Sequence, residues 1–178
     1  MNRKTLQASL LLLVSVGMLA TLLTSAAAAP GNSTASGHAN LTVGDAQTRT
    51  FSFTAIQSAD GTVTGQGDVN NPSFPIRIHF RMDCLKFDGS NRVIASGPIT
   101  QSSDPDTIAV GRIGVFAVED NGAGANAAPD RITTIPDYAP PRSCNEFSVD
   151  DDGLRDDTTG AIVRPWRPIE AGQIEVRP

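Results

Sequence analysis

Residues 76–87, with the sequence IRIHFRMDCLKF, decide the fold, because apolar and polar side chains alternate along the stretch. An alternation with a period of two is typical of a β-strand that buries one face. The apolar face carries Ile76, Ile78, Phe80, Met82 and Cys84, and the polar face carries Arg77, His79, Arg81 and Asp83. Pro72 and Pro75 cannot donate to a ladder, so the strand begins at about Ile76. This phase turns Cys84 toward the core.

Shorter segments with strand-like patterns lie on both sides of this stretch. Strands are predicted over residues 48–55, 62–66, 92–99, 108–119, 131–135 and 173–176. The turn dipeptide Asp60-Gly61 joins the first two as a hairpin. Gly111 and Gly114 predict a bend or bulge within residues 108–119.

The number and spacing of these strands predict the fold class. No segment after the leader shows the apolar stripe of a helix. Seven or so short strands predict an all-β fold, a single immunoglobulin-like β-sandwich over residues 48–178, rather than a barrel. Residues 29–47 are small and polar, which predicts a flexible lead-in. Residues 149–168 are acidic and without period, which predicts a long loop that is disordered or functional.

Residues 1–28 have the three parts of a secretory signal peptide. Arg3 and Lys4 precede an apolar run over residues 10–23, and small residues follow at 25–29. The apolar run is shorter than the roughly 20 residues that span a bilayer, although an uncleaved N-terminal anchor is the alternative. The sequence therefore predicts cleavage after Ala27 or Ala28 and a secreted, extracytoplasmic protein with no membrane span in the mature chain.

The charge of the mature chain disfavours nucleic acid as a partner. Arg3 and Lys4 are two of the 14 basic residues, so 12 basic residues face 19 acidic ones, a net charge of −7. A surface of this sign repels phosphate backbones.

Cys84 and Cys144 are the two cysteines of the sequence. In an exported chain an even number of cysteines predicts a disulfide, and two free buried thiols are the alternative. Because no nearby His or Cys completes a ligand set, a metal site at these residues is not predicted.

The sequence contains no recognisable catalytic constellation. His38 lies in the predicted lead-in, His79 stands alone on a strand face, and no established nucleophile or zinc motif occurs. We therefore assign no catalytic and no cofactor-binding residue. Paired carboxylates from residues 120–130 and 150–157 leave a secreted hydrolase as an alternative.

The acidic run at residues 148–159 suggests a calcium loop. Asp150, Asp152 and Asp156 place oxygen ligands at alternating positions around a glycine, as a hard cation requires. Ser148 stands where the first aspartate is usual, and Thr159 stands where a glutamate normally closes the loop. The alternative is a solvated acidic loop.

Five short motifs follow one another in a distinctive order. They are DGTVTGQG (60–67), IRIHFRMDCL (76–85), GSNRVIASG (89–97), VFAVEDNGAGANAAPDRI (115–132) and GQIEV (172–176). Their order resembles a group of exported bacterial proteins of uncharacterised function. It is similar also to the post-COAP type of extracellular β-domain, in which a strand ending in a V-x-D-N-G turn recurs. The resemblance implies a bacterial extracellular sandwich with Cys84 and Cys144 as a structural pair, and it implies no catalytic residues.

These observations together predict a secreted, non-catalytic β-domain. It is expected to be a binding or envelope- or matrix-associated module whose partner is an unknown extracellular protein or polymer. The alternatives are the carboxylate-dependent hydrolase and a calcium-stabilised structural domain.

Overall fold

The computed structural model describes residues 31–44, 46–72, 76–124 and 126–178, and this part of the chain is all-β. Its strands are β1 (Ser33–Thr42), β2 (Thr48–Gln57), β3 (Val63–Asn71), β4 (Ile76–Arg81), β5 (Cys84–Asp88), β6 (Arg92–Ser102), β7 (Ile113–Glu119), β8 (Arg131–Thr133), β9 (Asp137–Tyr138), β10 (Phe147–Val149), β11 (Gly153–Asp156), β12 (Ile162–Pro168) and β13 (Ala171–Arg177). A short 3₁₀ turn, Cys144–Glu146, precedes β10.

The strands form one open antiparallel sheet in which β6 is shared by two halves. The order is β10-β11-β12-β8-β7-β6-β4-β3-β2-β1-β13, and β5 and β9 pair with β6 and β7 off this path. Residues 92–98 of β6 pair with β7, whereas residues 99–102 pair with β4. The long β6 strand therefore connects the half that contains β1–β4 and β13 with the half that contains β7, β8 and β12.

The sheet folds back on itself, so that β2 covers β7. These strands are not neighbours in the sheet, yet the ring centroids of Phe51 and Phe116 lie 4.8 Å apart. Phe53 and Phe80 also contact Phe116, with centroids at 5.2 Å and 5.8 Å. These rings form the centre of a first apolar core shared by the two halves. Edge-to-face ring pairs at such distances add to the stabilisation that burial provides.

Strand β7 is buried on both faces. Phe116 and Val118 belong to the first core, while Val115 and Ala117 belong to a second core. The second core is completed by Phe147, Leu154 and Trp166. A strand that is covered on both sides needs no polar face, which explains the continuous apolar run Val115-Phe116-Ala117-Val118.

Two glycines make room for the central rings on the inner face of the sheet. Gly37 pairs with Phe53, Phe53 with Gly67, and Gly67 with Phe80. A Cβ atom at Gly67 would lie 2.4 Å from Cζ of Phe80, and one at Gly37 would lie 2.8 Å from Cε1 of Phe53. Such distances are too short for real carbon contacts, so the rings occupy this space because glycine leaves it empty.

The flexible lead-in predicted over residues 29–47 is wrong, because β1 occupies most of it. This strand pairs with β2 on one side and with β13 on the other. Its buried face consists of Ala35, Gly37 and Ala39 together with Leu41. Small residues are needed where β1 passes beneath the Phe53 ring, and they also give the segment the composition of a linker.

Residues 149–168 are ordered strands rather than a long loop. They contain the end of β10 and all of β11 and β12, and Leu154 and Trp166 are buried in the second core. A register shift between Leu154 and Arg155 breaks the alternation. Pro165 within β12 weakens the strand signal further, because proline cannot donate to a ladder.

Other strand predictions are confirmed at different lengths. The strand predicted over residues 108–119 begins only at Ile113, because Gly111, with φ at 89°, turns the chain so that its N–H donates to the carbonyl of Ile99. The stretch 76–87 is divided into β4 and β5 at Met82 and Asp83. The sheet has thirteen strands rather than the seven or so expected, because one predicted strand is divided and several strands were not predicted.

The predicted disulfide between Cys84 and Cys144 is confirmed. It joins β5 to the 3₁₀ turn and thereby fixes the segment before β10 to the main sheet. Cys144 is fully buried in the second core, where its N–H donates to Ser96 Oγ.

The predicted signal peptide, residues 1–28, lies outside the described residues. Within the described part of the chain, no helix has the length and apolar character needed to cross a bilayer.

We expect Gly67→Ala to lower the free energy of unfolding by about 1–3 kcal/mol, because the new methyl group overlaps the Phe80 ring. Urea denaturation followed by tryptophan fluorescence measures the change. Gly44→Ala is the matched control, since a Cβ there meets no heavy atom within 4 Å. Equal stability of Gly67→Ala and Gly44→Ala would contradict the packing described.

Candidate functional site

A cavity of about 170 Å³ lies at one end of the sheet, between the half that contains β1–β4 and the half that contains β8. We call it the end cavity. The ends of β1 and β3 and the starts of β2 and β4 surround it, and the segment after β8 forms the opposite wall. Its apolar lining is Leu41, Phe51, Val69, Ile76, Ile78, Ile108, Ile132 and Ile135. The cavity therefore offers an apolar surface beside the ring cluster of the first core.

Four polar residues, Arg49, Asn71, Thr133 and Thr134, also line this cavity, and the described contacts of two of them are with other parts of the protein. Asn71 is buried, and its Nδ2 donates to Gln47 Oε1 at 2.9 Å. The hydroxyl oxygen of Thr133 accepts the N–H of Ala117 at 2.9 Å. Close to the wall residue Ile108, the Val110 side chain is 55% exposed, which adds apolar surface to the neighbouring loop.

The two histidines lie on the outer face of the sheet and not in the cavity. His79 Nδ1 contacts Asp68 Oδ1 on the neighbouring strand β3. Ser52 pairs with Asp68 on one side and with His38 on the other, so one row across four strands carries all four residues. The order along the row is His38, Ser52, Asp68 and His79, so neither histidine stands between the serine and the aspartate, as a nucleophile–base–acid relay requires.

The acidic loop is held by arginine side chains and backbone amides. Asp150 Oδ1 accepts the N–H groups of Asp152 and Gly153, and its Oδ2 contacts Arg155. Asp152 also contacts Arg155, at 3.3 Å. The Arg155 guanidinium lowers the pKa of Asp150 below its ordinary value.

Asp156, the third residue of the predicted calcium loop, belongs to a different group of contacts. Its Oδ2 accepts a hydrogen bond from Arg142 at 2.9 Å, while its Oδ1 accepts hydrogen bonds from the N–H groups of Thr158 and Thr159. The hydrogen bond from Arg142 lowers the pKa of Asp156. Among the described residues, no group of three or more His, Cys, Asp or Glu side chains is placed to hold a metal ion. The calcium loop stays a prediction, and the structure does not bring its three aspartates together as one ligand set.

Glu119 is the buried centre of an ion-pair network that the sequence did not reveal. Its side chain is 4% exposed, and its two oxygens contact Arg92, at 2.7 Å, and Arg131. Arg92 continues to Asp151 at 2.9 Å, and Arg131 lies over the Trp166 ring. Hydrogen bonds from Arg131 and Arg92 lower the pKa of Glu119 to about 2. The sequence signal that could have indicated this network is the position of Glu119, an acid directly after the apolar run of β7.

Two further carboxylates bind the backbone of the last strand. Asp130 Oδ2 accepts the N–H of Ile174 at 2.8 Å, and Asp120 Oδ2 accepts the N–H of Val176 at 3.1 Å. Asp130 Oδ1 also accepts the N–H of Asn121. The acids of residues 120–130 and 150–157, which the hydrolase alternative requires as a catalytic pair, thus take part in separate structural contacts.

The chain matches no protein-family model, no curated protein and no solved structure.

We expect millimolar calcium to leave the thermal unfolding midpoint unchanged. A cation at Asp150 and Asp152 has to displace Arg155, which already contacts both carboxylates. Differential scanning fluorimetry with calcium and with a chelator measures the midpoint. A rise that Asp152→Ala abolishes would support the calcium loop instead, because a ligand of the folded state must raise its stability.

We expect Glu119→Gln to lower the free energy of unfolding at neutral pH by about 3 kcal/mol, because it leaves two arginines without their buried partner. The pKa of Glu119 is about 2 when folded, against an ordinary 4.5. The carboxylate therefore stabilises the fold fully above about pH 4.5, and this contribution is lost as the pH falls toward 2.

Chemical denaturation of wild type and Glu119→Gln between pH 7 and pH 3 checks the expectation, and the difference should narrow below about pH 4.5. Glu175→Gln is the control, since Glu175 is 48% exposed and pairs only with the exposed Arg177. A difference that does not change with pH would show that the ion pairs contribute little.

Proposed function

We propose that the protein is a secreted, non-catalytic binding domain that accepts one apolar side chain of an extracellular partner protein. The apolar cavity between the two layers supports this proposal. Small-molecule sites are commonly lined by apolar side chains with few polar groups, and this cavity has that composition. The signal-peptide pattern of residues 1–28 supports an extracytoplasmic location.

The size of the cavity favours a single side chain over a larger ligand. Pockets for drug-sized molecules have volumes of roughly 300–1,000 Å³. The cavity here is about 170 Å³. In another protein an apolar cavity of roughly 150 Å³ binds benzene, so the present volume suits a phenyl or branched aliphatic group.

The cavity is bounded by strands, and this supports a preformed site. Phe51, Ile78 and Ile132 are almost fully buried members of strands on both sides of it. Rigid walls reduce the entropy that a partner loses when it orders a site. As the scaffold we retain the immunoglobulin-like β-sandwich, because the facing contacts of β2 and β7 support two packed layers, and such sandwiches present their loops at the ends.

We expect N-acetyl-phenylalanine amide to shift the amide resonances of Ile132 and Ile135 in ¹⁵N-labelled protein. Burial of one phenyl group predicts a dissociation constant on the order of millimolar. N-acetyl-alanine amide is the matched ligand control, because its methyl group leaves the cavity largely empty.

Val69→Phe should abolish these shifts by filling the cavity from its β3 wall, whereas Val110→Phe, on the exposed neighbouring loop, should preserve them. Equal shifts with both ligands, or unchanged shifts in Val69→Phe, would argue against the cavity as a binding site.

A further inference from the structure

The outer face of strand β4 carries two arginines with a histidine between them. Arg77, His79 and Arg81 alternate with the buried Ile78 and Phe80, so the first three side chains point to solvent. Residues two apart along a strand are about 6.7 Å apart, which gives the row regular spacing. We name this row, Arg77, His79 and Arg81, the β4 cationic row.

The two arginines of this row lack the close carboxylate contacts that several other arginines make. Arg92, Arg131 and Arg155 are each in close contact with a carboxylate. Among the described residues, the nearest carboxylate of Arg81 is Asp83, at 4.0 Å, and Arg77 forms no ion pair. Both guanidinium groups are exposed to solvent, where they can contact an external anion.

A bulge opens a concave surface beside the row. Strand β6 has one extra residue opposite the His79–Phe80 step, because His79 pairs with Gln101 and Phe80 pairs with Ile99. The extra residue is Thr100, whose hydroxyl donates to the carbonyl of His79 at 3.2 Å. Bulges often redirect side chains beside binding sites.

The concave surface is polar and extends across several strands. A depression of about 230 Å³ is lined by Gln66, Asp68, His79, Arg81, Thr100 and Gln101. A second depression, of about 190 Å³, shares Gln66 and Asp68 with it and reaches Ser52 and Gly37. The two depressions therefore form one shallow groove from β6 to β1, which crosses the β4 cationic row.

We propose that this groove binds a carboxylate-bearing polysaccharide outside the cell. The planar guanidinium of Arg81 suits a sugar carboxylate, and Arg77 provides a second positive charge along the same row. The amides of Gln66 and Gln101 and the hydroxyl of Thr100 match the donors and acceptors of sugar hydroxyls. Asp68 contacts His79, so one of its carboxylate oxygens already has a partner within the protein.

The groove differs from the sites that bind single-stranded nucleic acids. Such sites hold the strand by aromatic side chains on which bases stack. The outward residues of β1–β4 in the described chain include no Phe, Tyr or Trp, so the groove lacks this feature. The net charge of the predicted mature chain, −7, opposes any polyanion at long range, whereas the two arginines act on a bound carboxylate within about 8 Å at physiological salt.

Affinity electrophoresis of the exported protein in gels that contain polygalacturonate tests this proposal. We expect retardation of the wild type in polygalacturonate, none in neutral dextran, and loss of retardation in high salt. Arg77→Gln/Arg81→Gln should bind about tenfold more weakly, because two exposed charge contacts are lost. Arg177→Gln is the control for loss of an exposed arginine: it removes one positive charge from the same sheet, away from the groove, where Glu175 pairs with it.

The proposal is overturned if polygalacturonate does not retard the wild type, or if the double variant is retarded as strongly as Arg177→Gln. It is also overturned if single-stranded DNA retards the protein as strongly as polygalacturonate. Thermal unfolding checks that both variants are folded. We expect midpoints close to that of the wild type, because Arg81 is 65% and Arg177 is 69% exposed. If the double variant still binds N-acetyl-phenylalanine amide, the substitutions have affected the groove and not the end cavity, so the two proposals are tested separately.

Discussion

The burial of β7 on both faces is the constraint on which the rest of the structure depends. Phe116 on one face requires a cover, which the folded-back sheet provides with Phe51 and Phe53. Val115 and Ala117 on the other face require a second cover, which β10–β12 provide with Phe147 and Leu154. The described part of the chain thereby buries two apolar cores around a single strand.

The second cover contains several acidic residues, and arginine side chains pair with them. Arg92 contacts both Asp151 and the buried Glu119. Arg142 contacts both Asp156 and Glu146 and lies over the Phe147 ring, so one side chain provides charge and packing together. Arginine suits this position because its planar group binds carboxylates and stacks on aromatic rings.

The sequence predicted the strands with a clear period of two and the apolar run of β7, and it missed strands whose buried residues are small or whose alternation is broken. Strands β2, β4 and β13 were found because their period of two is clear, and Cys84 and Cys144 were paired correctly. Strand β1 was missed because its buried face is Ala-Gly-Ala, which composition alone cannot distinguish from a linker. The end cavity and the groove depend on strand order and on the Thr100 bulge, which no local pattern specifies.

The carboxylates of Asp120 and Asp130 have a further consequence for the edge of the sheet. They bind two N–H groups of β13, the terminal strand of an open sheet. An exposed edge strand is a template on which other chains can add. By covering these donors with charged oxygens, the loop after β7 protects the sheet against edge-to-edge aggregation. The edge strand β13 is therefore less able to pair with a strand of another molecule.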